Sequence, residues 1–315
     1  GSAPCALGPR TMGAPTATLD STIDVPFECS CGFSCGTALA LKSHLRRGQL
    51  SAVKHLAVAG RVSPILAMSA DLPASAAGRV RLLFIRHGES ANKSMASQTH
   101  VEDAPLSPLG HKQAQALGAV LGAQLDPDQT LLVVSPMRRA LLTAAPLVAK
   151  LDLPPDRVIC HGELWEWRGA HPSYPGRSAV ATESDPQMPR VRCECFGEGG
   201  KTWCFHGHGH LENEADTRRR AHSFRRWLHN GMPRHVGDSP VRTVAIVGHL
   251  HFFDLLLQIL MKGTAEDWYA SLREYAFCNT AVTEAMYDFS TGCAILGLEN
   301  SVAHLKDHGV AVTGI

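Results

Sequence analysis

The run Val80–Ile85, apolar except at Arg81, stops abruptly at Arg86-His87-Gly88. It reads as a buried strand whose C-terminal tip presents a cation, an imidazole and a residue that lets something approach the backbone closely. In open parallel α/β sheets, strand tips are where ligands bind. Imidazole serves as a nucleophile as well as an acid or base, and an arginine fork matches a phosphate. The simplest chemistry for the pair is attack of His87 on a phosphoryl group held by Arg86.

The same pattern recurs. Thr130–Val134 reads as a second strand, followed by Ser135-Pro136-Met137-Arg138-Arg139 capping a helix to about Leu151. Arg157–Cys160 reads as a short third strand. Val241–Val247 reads as a fourth, followed by Gly248-His249 and a helix through Met261. Ser107 and Pro108 suit the N-cap and first position of a helix to about Gln124. Residues 161–210 read as irregular. Glu212–Asn230 reads as a helix with Ala221, Phe224, Trp227 and Leu228 on one face, and Thr280–Tyr287 and Cys293–Leu298 as closing strands. Strands alternating with helices predict an α/β fold, a mostly parallel sheet flanked by helices on both faces. Adjacent parallel strands would gather two imidazoles and two guanidiniums around one small volume near helix N-termini. Such a pocket suits a dianion.

The chain organises around this domain. Residues 1–26, rich in Gly, Ala, Pro, Ser and Thr, read as a disordered tail. Residues 27–58 form a small Cys/His unit, 59–79 a linker and 80–306 the main domain, with a Cys/His-rich insertion at 168–210. A length of 315 residues with 44% hydrophobic content accommodates that domain and its appendages. The net charge of +1 creates no field for nucleic acid, and no stretch reaches the roughly 18–20 apolar residues that span a bilayer. Neither nucleic acid nor membrane is therefore an expected partner. The ten cysteines are clustered rather than evenly spaced, which favours metal sites or free thiols and a cytoplasmic location. The chain begins Gly1-Ser2 rather than with Met, so a targeting segment upstream would be invisible.

Several segments together resemble the histidine phosphatase superfamily, the phosphoglycerate-mutase-like fold. Arg86-His87-Gly88-Glu89-Ser90-Ala91-Asn92 resembles its RHGE-x-x-N signature, and Pro105–Gly110 its PLT-x-x-G segment. Ser135–Ala144 resembles SP-x-x-RA-x-x-TA, Val247-Gly248-His249 the motif of the second histidine, and Asn300–Leu305 the family's C-terminal end. The resemblance implies a phosphomonoester hydrolase of the histidine acid phosphatase type, with His87 as nucleophile and Arg86, Arg139 and His249 around the phosphoryl oxygens. Glu163–Gly169 resembles the L-x-E element, which implies Glu166 as proton donor with Glu163 as runner-up. Asn92 and His171 are further substrate contacts. The partner implied is a small phosphorylated substrate, and catalysis needs no cofactor.

Glu166–Pro172 lacks the RHY-G that follows the acid in glycolytic mutases, which makes phosphoglycerate mutase an alternative rather than the first reading. A further alternative comes from the N-terminal unit. Cys31, Leu41 and His44 have zinc-finger spacing, although Cys29 stands one residue too close and no histidine follows His44 at three to five residues. Cys29, Cys31, Cys35 and His44, with His55 in reserve, are the candidate ligands of a structural zinc. The unit would then dock a protein partner, with the phosphatase-like domain as a weakly active binding module. Cys193, Cys195, Cys204, His206, His208 and His210 form a second ligand-rich group. Near-stoichiometric zinc at one of the two clusters is the expected result of elemental analysis on gently purified protein. A metal-free preparation would retire both sites.

Overall fold

The computed structural model describes residues 27–28, 34–35, 78–94, 101–169, 176–203, 211–264 and 274–314. The chain divides into two compact units, Gly1–Val62 and Ser63–Ile315. In the first, β1 (Phe27–Glu28) and β2 (Ser34–Cys35) pair antiparallel, with Phe27 opposite Cys35. Cys29, Cys31, His44 and His55 lie outside the described residues, and of Cys35 only the backbone is described.

The second unit is built on one sheet. Its strands are β3 (Arg79–Arg86), β4 (Thr130–Val134), β5 (Val158–His161) and β6 (Arg192–Glu194). After a hairpin of β7 (His235–Val236) and β8 (Ser239–Pro240) come β9 (Thr243–Gly248), β10 (Val282–Asp288) and β11 (Cys293–Leu296). Across the sheet the order is β11-β10-β3-β9-β4-β5-β6. From β3 to β6 every pairing is parallel, and β10 runs antiparallel to both its neighbours. A mostly parallel sheet is thus what the alternating pattern produces.

Both faces are covered, which is why the strands read as continuous apolar runs. Leu82 and Phe84 of β3, Leu131 and Val133 of β4, and Val244 and Ile246 of β9 pack into one core. That core is closed by α5 (Glu214–Arg226) and α6 (Leu250–Lys262). Leu83, Ile85, Leu132, Val134, Ala245 and Val247 point the other way. They meet α2 (Pro108–Gln124) and α3 (Arg138–Leu151). Short helices α1 (Ala91–Ser94), α4 (Ala179–Glu183) and α7 (Ala303–Asp307) complete the unit. Among the described residues no helix is long and apolar enough to cross a membrane.

Element boundaries follow local chemistry. Ser107 caps α2 as its sequence suggests, its hydroxyl accepting from the Gly110 amide at 3.0 Å. Helix α3 starts later than expected, at Arg138, and Ser135 is not its cap. The Arg138 amide is instead met by Asp103 at 2.9 Å, a carboxylate from a distant loop. Helix α5 is capped by Asn213 in a reciprocal box with Asp216, and its C-terminal end passes into a π-helical turn, Trp227–Gly231. The region expected to be irregular contains α4 and β6. β6 is a short, partly polar edge strand with no apolar period to reveal it.

The loop after His87 rests directly on the first turn of α2. A Cβ on Gly88 would stand 2.7 Å from the Gly110 carbonyl oxygen, and one on Gly110 would stand 2.1 Å from the Glu89 carbonyl oxygen. Helix propensity favours alanine over glycine at Gly110 by about 1 kcal/mol. The clash is with backbone, so Gly110→Ala is expected to destabilise the protein by about 1–3 kcal/mol, read by thermal melting. A raised melting temperature would contradict this packing.

Candidate active site

The level register of β3, β9 and β4 brings three loops together. Arg86 lies opposite Gly248, and Val247 opposite Val134. The loops are then tied beyond the strands: the His87 amide donates to the Gly248 carbonyl at 3.0 Å, and the Ser135 amide to that of Val247 at 2.9 Å. As a result the rings of His87 and His249 stand 5.1 Å apart. Arg139, in the first turn of α3, donates from Nε to His87 Nε2 at 3.2 Å.

Hydrogen bonds fix the tautomer of His87 and anchor the ring of His249. His87 Nδ1 lies 2.6 Å from the Gly88 carbonyl oxygen, which can only accept. The ring proton therefore sits on Nδ1 and the lone pair on Nε2, where Arg139 meets it. Burial, then the charges of Arg139 and Arg86, hold the His87 pKa well below the usual imidazole range. The ring stays neutral, as a nucleophile must. His249 is fully buried, with Nε2 at 2.7 Å from Ser135 Oγ. That oxygen also accepts from the Met137 amide at 3.3 Å, so the hydroxyl anchors the His249 ring on the loop before α3. His249 Nδ1 has no hydrogen-bond partner among the described residues, so the ring keeps one buried nitrogen for a group that enters the site. Burial, Arg139 and His87 keep this ring neutral too.

Arg86 is held by main-chain carbonyls. Its Nη1 donates to Phe277 at 2.6 Å and to Gly314. Gly314 lies beyond the expected domain end at 306, yet the tail is fastened in place. The Gln113 amide donates to the Ala311 carbonyl at 2.9 Å and the Thr313 hydroxyl at 3.0 Å, while its Oε1 accepts from the Glu89 amide at 2.9 Å. Gln113 thus joins the tail to the loop after His87, and nothing in the pattern of residues 309–314 announces that link. Glu89 itself serves the scaffold, accepting from the Ser107 hydroxyl at 2.8 Å.

Glu166 reaches the site from the loop after β5. Its Oε1 accepts from the amides of Trp167 at 2.8 Å and Phe252 at 3.3 Å, and Oε2 lies 3.3 Å from His251 Nδ1. Arg220 of α5 braces this loop. It donates to the carbonyls of Glu163 and Trp165, both at 2.7 Å, while a buried two-point pair with Glu212 fixes its guanidinium. Glu163 is turned toward Ser223 and the cations Arg220 and Arg226, and burial raises its pKa. Glu166 is the carboxylate that senses Arg139, whereas Glu163 senses Arg220 and Arg226.

Other candidates are placed differently. Asn92 exchanges hydrogen bonds with the Val101 backbone, Nδ2 to the carbonyl at 2.8 Å and Oδ1 from the amide at 3.0 Å. Both ends of its amide are thus tied to Val101. Arg138 extends to Gln187 at 3.4 Å. His171 lies outside the described residues, as do Cys204, His206, His208 and His210. Cys193 and Cys195 are free thiols, and no metal-binding group of three or more ligands occurs among the described residues.

A family model described as histidine phosphatase superfamily, branch 1, matches residues 82–294. A glucosyl-3-phosphoglycerate phosphatase of Mycobacterium tuberculosis (strain CDC 1551 / Oshkosh) is 29% identical over 191 residues, covering 60% of this chain and 78% of the relative. An acid phosphatase of Mycobacterium tuberculosis (strain ATCC 25618 / H37Rv) is 39% identical over 64 residues, 20% of this chain and 31% of the relative. Among solved structures, a protein titled mycobacterial hydrolase 1 is 26% identical with a TM-score of 0.48, covering 71% of this chain and 100% of its own.

The ring of His249 is anchored through one hydroxyl, that of Ser135. Ser135→Ala is expected to lower phosphate-ester turnover by about 10–100-fold, less than the loss of a whole transition-state donor, with little change in melting temperature. Turnover equal to wild type would show that the ring needs no such anchor.

Proposed function

The chain belongs to the histidine phosphatase superfamily, and from that membership we propose a phosphomonoesterase that works through a phosphohistidine on His87. His87 Nε2 attacks phosphorus as the bond to the alcohol oxygen breaks. Arg86, Arg139 and His249 Nδ1 hold the phosphoryl oxygens, each donor contributing roughly 3 kcal/mol to the transition state. Glu166 gives a proton to the departing alkoxide. It then takes one from the water that hydrolyses the phosphohistidine, returning His87 to its starting state. The guanidiniums carry the charge, so no catalytic cofactor is assigned.

The observation that carries this reading is the His87 hydrogen-bond pair. A neutral ring with Nδ1 tied at 2.6 Å to a carbonyl presents Nε2 to Arg139, the cation that would meet an incoming phosphate. The names of the relatives, a glucosyl-3-phosphoglycerate phosphatase and an acid phosphatase, support a small phosphorylated metabolite as substrate and activity at acid pH. A ring held neutral by burial suits such conditions, because protonation of His87 is deferred to low pH.

Hydrolysis of p-nitrophenyl phosphate tests the reading. His87→Ala is expected to lose at least about a thousandfold in kcat/KM. Equal activity in the variant would remove His87 as nucleophile, and negligible turnover by wild type would favour a binding module. Conversion of 3- to 2-phosphoglycerate is expected to be slow. Turnover at the level of a dedicated mutase would overturn the ranking.

A further inference from the structure

The surroundings of Glu166 pose a chemical problem. Its carboxylate sits at the N-terminal turn of α6, accepting from the His251 amide at 3.4 Å and the Phe252 amide at 3.3 Å, with the Trp167 amide at 2.8 Å. Each of these bonds favours the ionised form. Burial alone would raise the Glu166 pKa, but the His251 contact, Arg139 and the Trp167 amide outweigh it and hold the carboxyl below its ordinary value. A general acid needs the opposite, a proton at hand at the working pH.

The neighbouring imidazole supplies one. His251 Nδ1 is 3.3 Å from Glu166 Oε2. The His251 side chain is 29% exposed and that of Glu166 16%, so the ring is the more solvent-accessible member of the pair. We propose that Glu166 and His251 share the catalytic proton, His251 storing it on Nδ1 and passing it to Glu166 Oε2 when a phosphate ester binds. The proposal rests on Glu166 as proton donor and adds the source of its proton.

The other groups facing the pair cannot take this part. Arg139 approaches from α3, His249 caps α6 with Nε2 engaged by Ser135, and Arg220 lies over the Phe252 ring at 4.4 Å. Arg168 lies over the Trp167 ring at 4.7 Å, and that ring packs against His251 at 5.8 Å. The arginines stay charged throughout. Among the described residues that face Glu166, His251 is the group whose ring nitrogen reaches Oε2 and can either carry or give up a proton.

A phosphate dianion beside Arg139 offsets the cationic field that keeps Glu166 ionised. The proton then moves from His251 Nδ1 to Glu166 Oε2. From there it passes to the leaving oxygen as that oxygen parts from phosphorus and His87 Nε2 bonds to it. In the second half a water oxygen bonds to phosphorus, the Nε2–phosphorus bond breaks, and the water proton passes to Oε2 and back to Nδ1. The cycle closes with no proton gained or lost.

The test is kcat/KM against pH for wild type, His251→Gln and Glu166→Gln with two substrates. Glycerol 2-phosphate expels an alkoxide that must be protonated, whereas p-nitrophenyl phosphate expels a stable anion. With glycerol 2-phosphate, His251→Gln is expected to move the alkaline limb toward acid by about one pH unit, roughly a tenfold loss at about pH 7.5. With p-nitrophenyl phosphate the limb should move by less than about 0.3 of a unit. Coincident limbs for wild type and His251→Gln with glycerol 2-phosphate would overturn the proposal, and equal displacement with both substrates would assign His251 a packing role instead. Glu166→Gln separates the two levels. If it leaves glycerol 2-phosphate turnover within about twofold of wild type, Glu166 is not the donor and the underlying reading fails. If it costs about a hundredfold or more while the His251→Gln limb stays in place, the shared proton alone fails.

Discussion

The parallel pairing of β3 with β9, and of β9 with β4, sets where three loops leave the sheet. Because these neighbours end level, residues from three distant stretches of chain meet in one small volume. The backbone bonds from His87 to Gly248 and from Ser135 to Val247 extend that alignment past the last strand residues. One residue of slippage would turn every side chain of a strand to the opposite face and break both cores. The register is therefore held by the same apolar alternation that places the imidazoles.

On that frame, polarity is distributed with care. The site keeps its histidines neutral by burying them among arginines; the Gly88 carbonyl assigns the proton of His87, and the Ser135 hydroxyl anchors the ring of His249. The costs are met away from the site. Arg220 has its charge met by Glu212 and its Nη1 hydrogens by two main-chain carbonyls, so a buried cation braces the loop that carries Glu166. Removing one member of such a buried pair typically costs about 3–5 kcal/mol, which makes this clamp a condition for the position of Glu166.

How much of this could be read from sequence depends on the range of the forces involved. The central strands were legible because both faces are covered and their apolar runs are unbroken. His87, Arg86, Arg139 and His249 stood at their tips in motif contexts. A serine before a helix usually caps it, but here Asp103 reaches the helix from afar and leaves the Ser135 hydroxyl to His249. Asn92 stands at a motif position, and its pairing with the Val101 backbone is a further link that the motif does not announce. β6 is partly polar and lies at the sheet edge, so burial left no trace in its residues. The tail that holds Arg86, and the contact of His251 with Glu166, are tertiary facts with no local signature.

The most direct test of the site is to locate the phosphoryl group on the enzyme. Wild-type protein quenched during turnover and kept at alkaline pH, where phosphohistidine survives, should carry phosphorus on the ring of His87, and phosphorus NMR should place it on Nε2. That nitrogen follows from the proton held on Nδ1 by the Gly88 carbonyl. Phosphorus on Nδ1, or on any residue other than His87, would contradict the assignment of both tautomer and nucleophile.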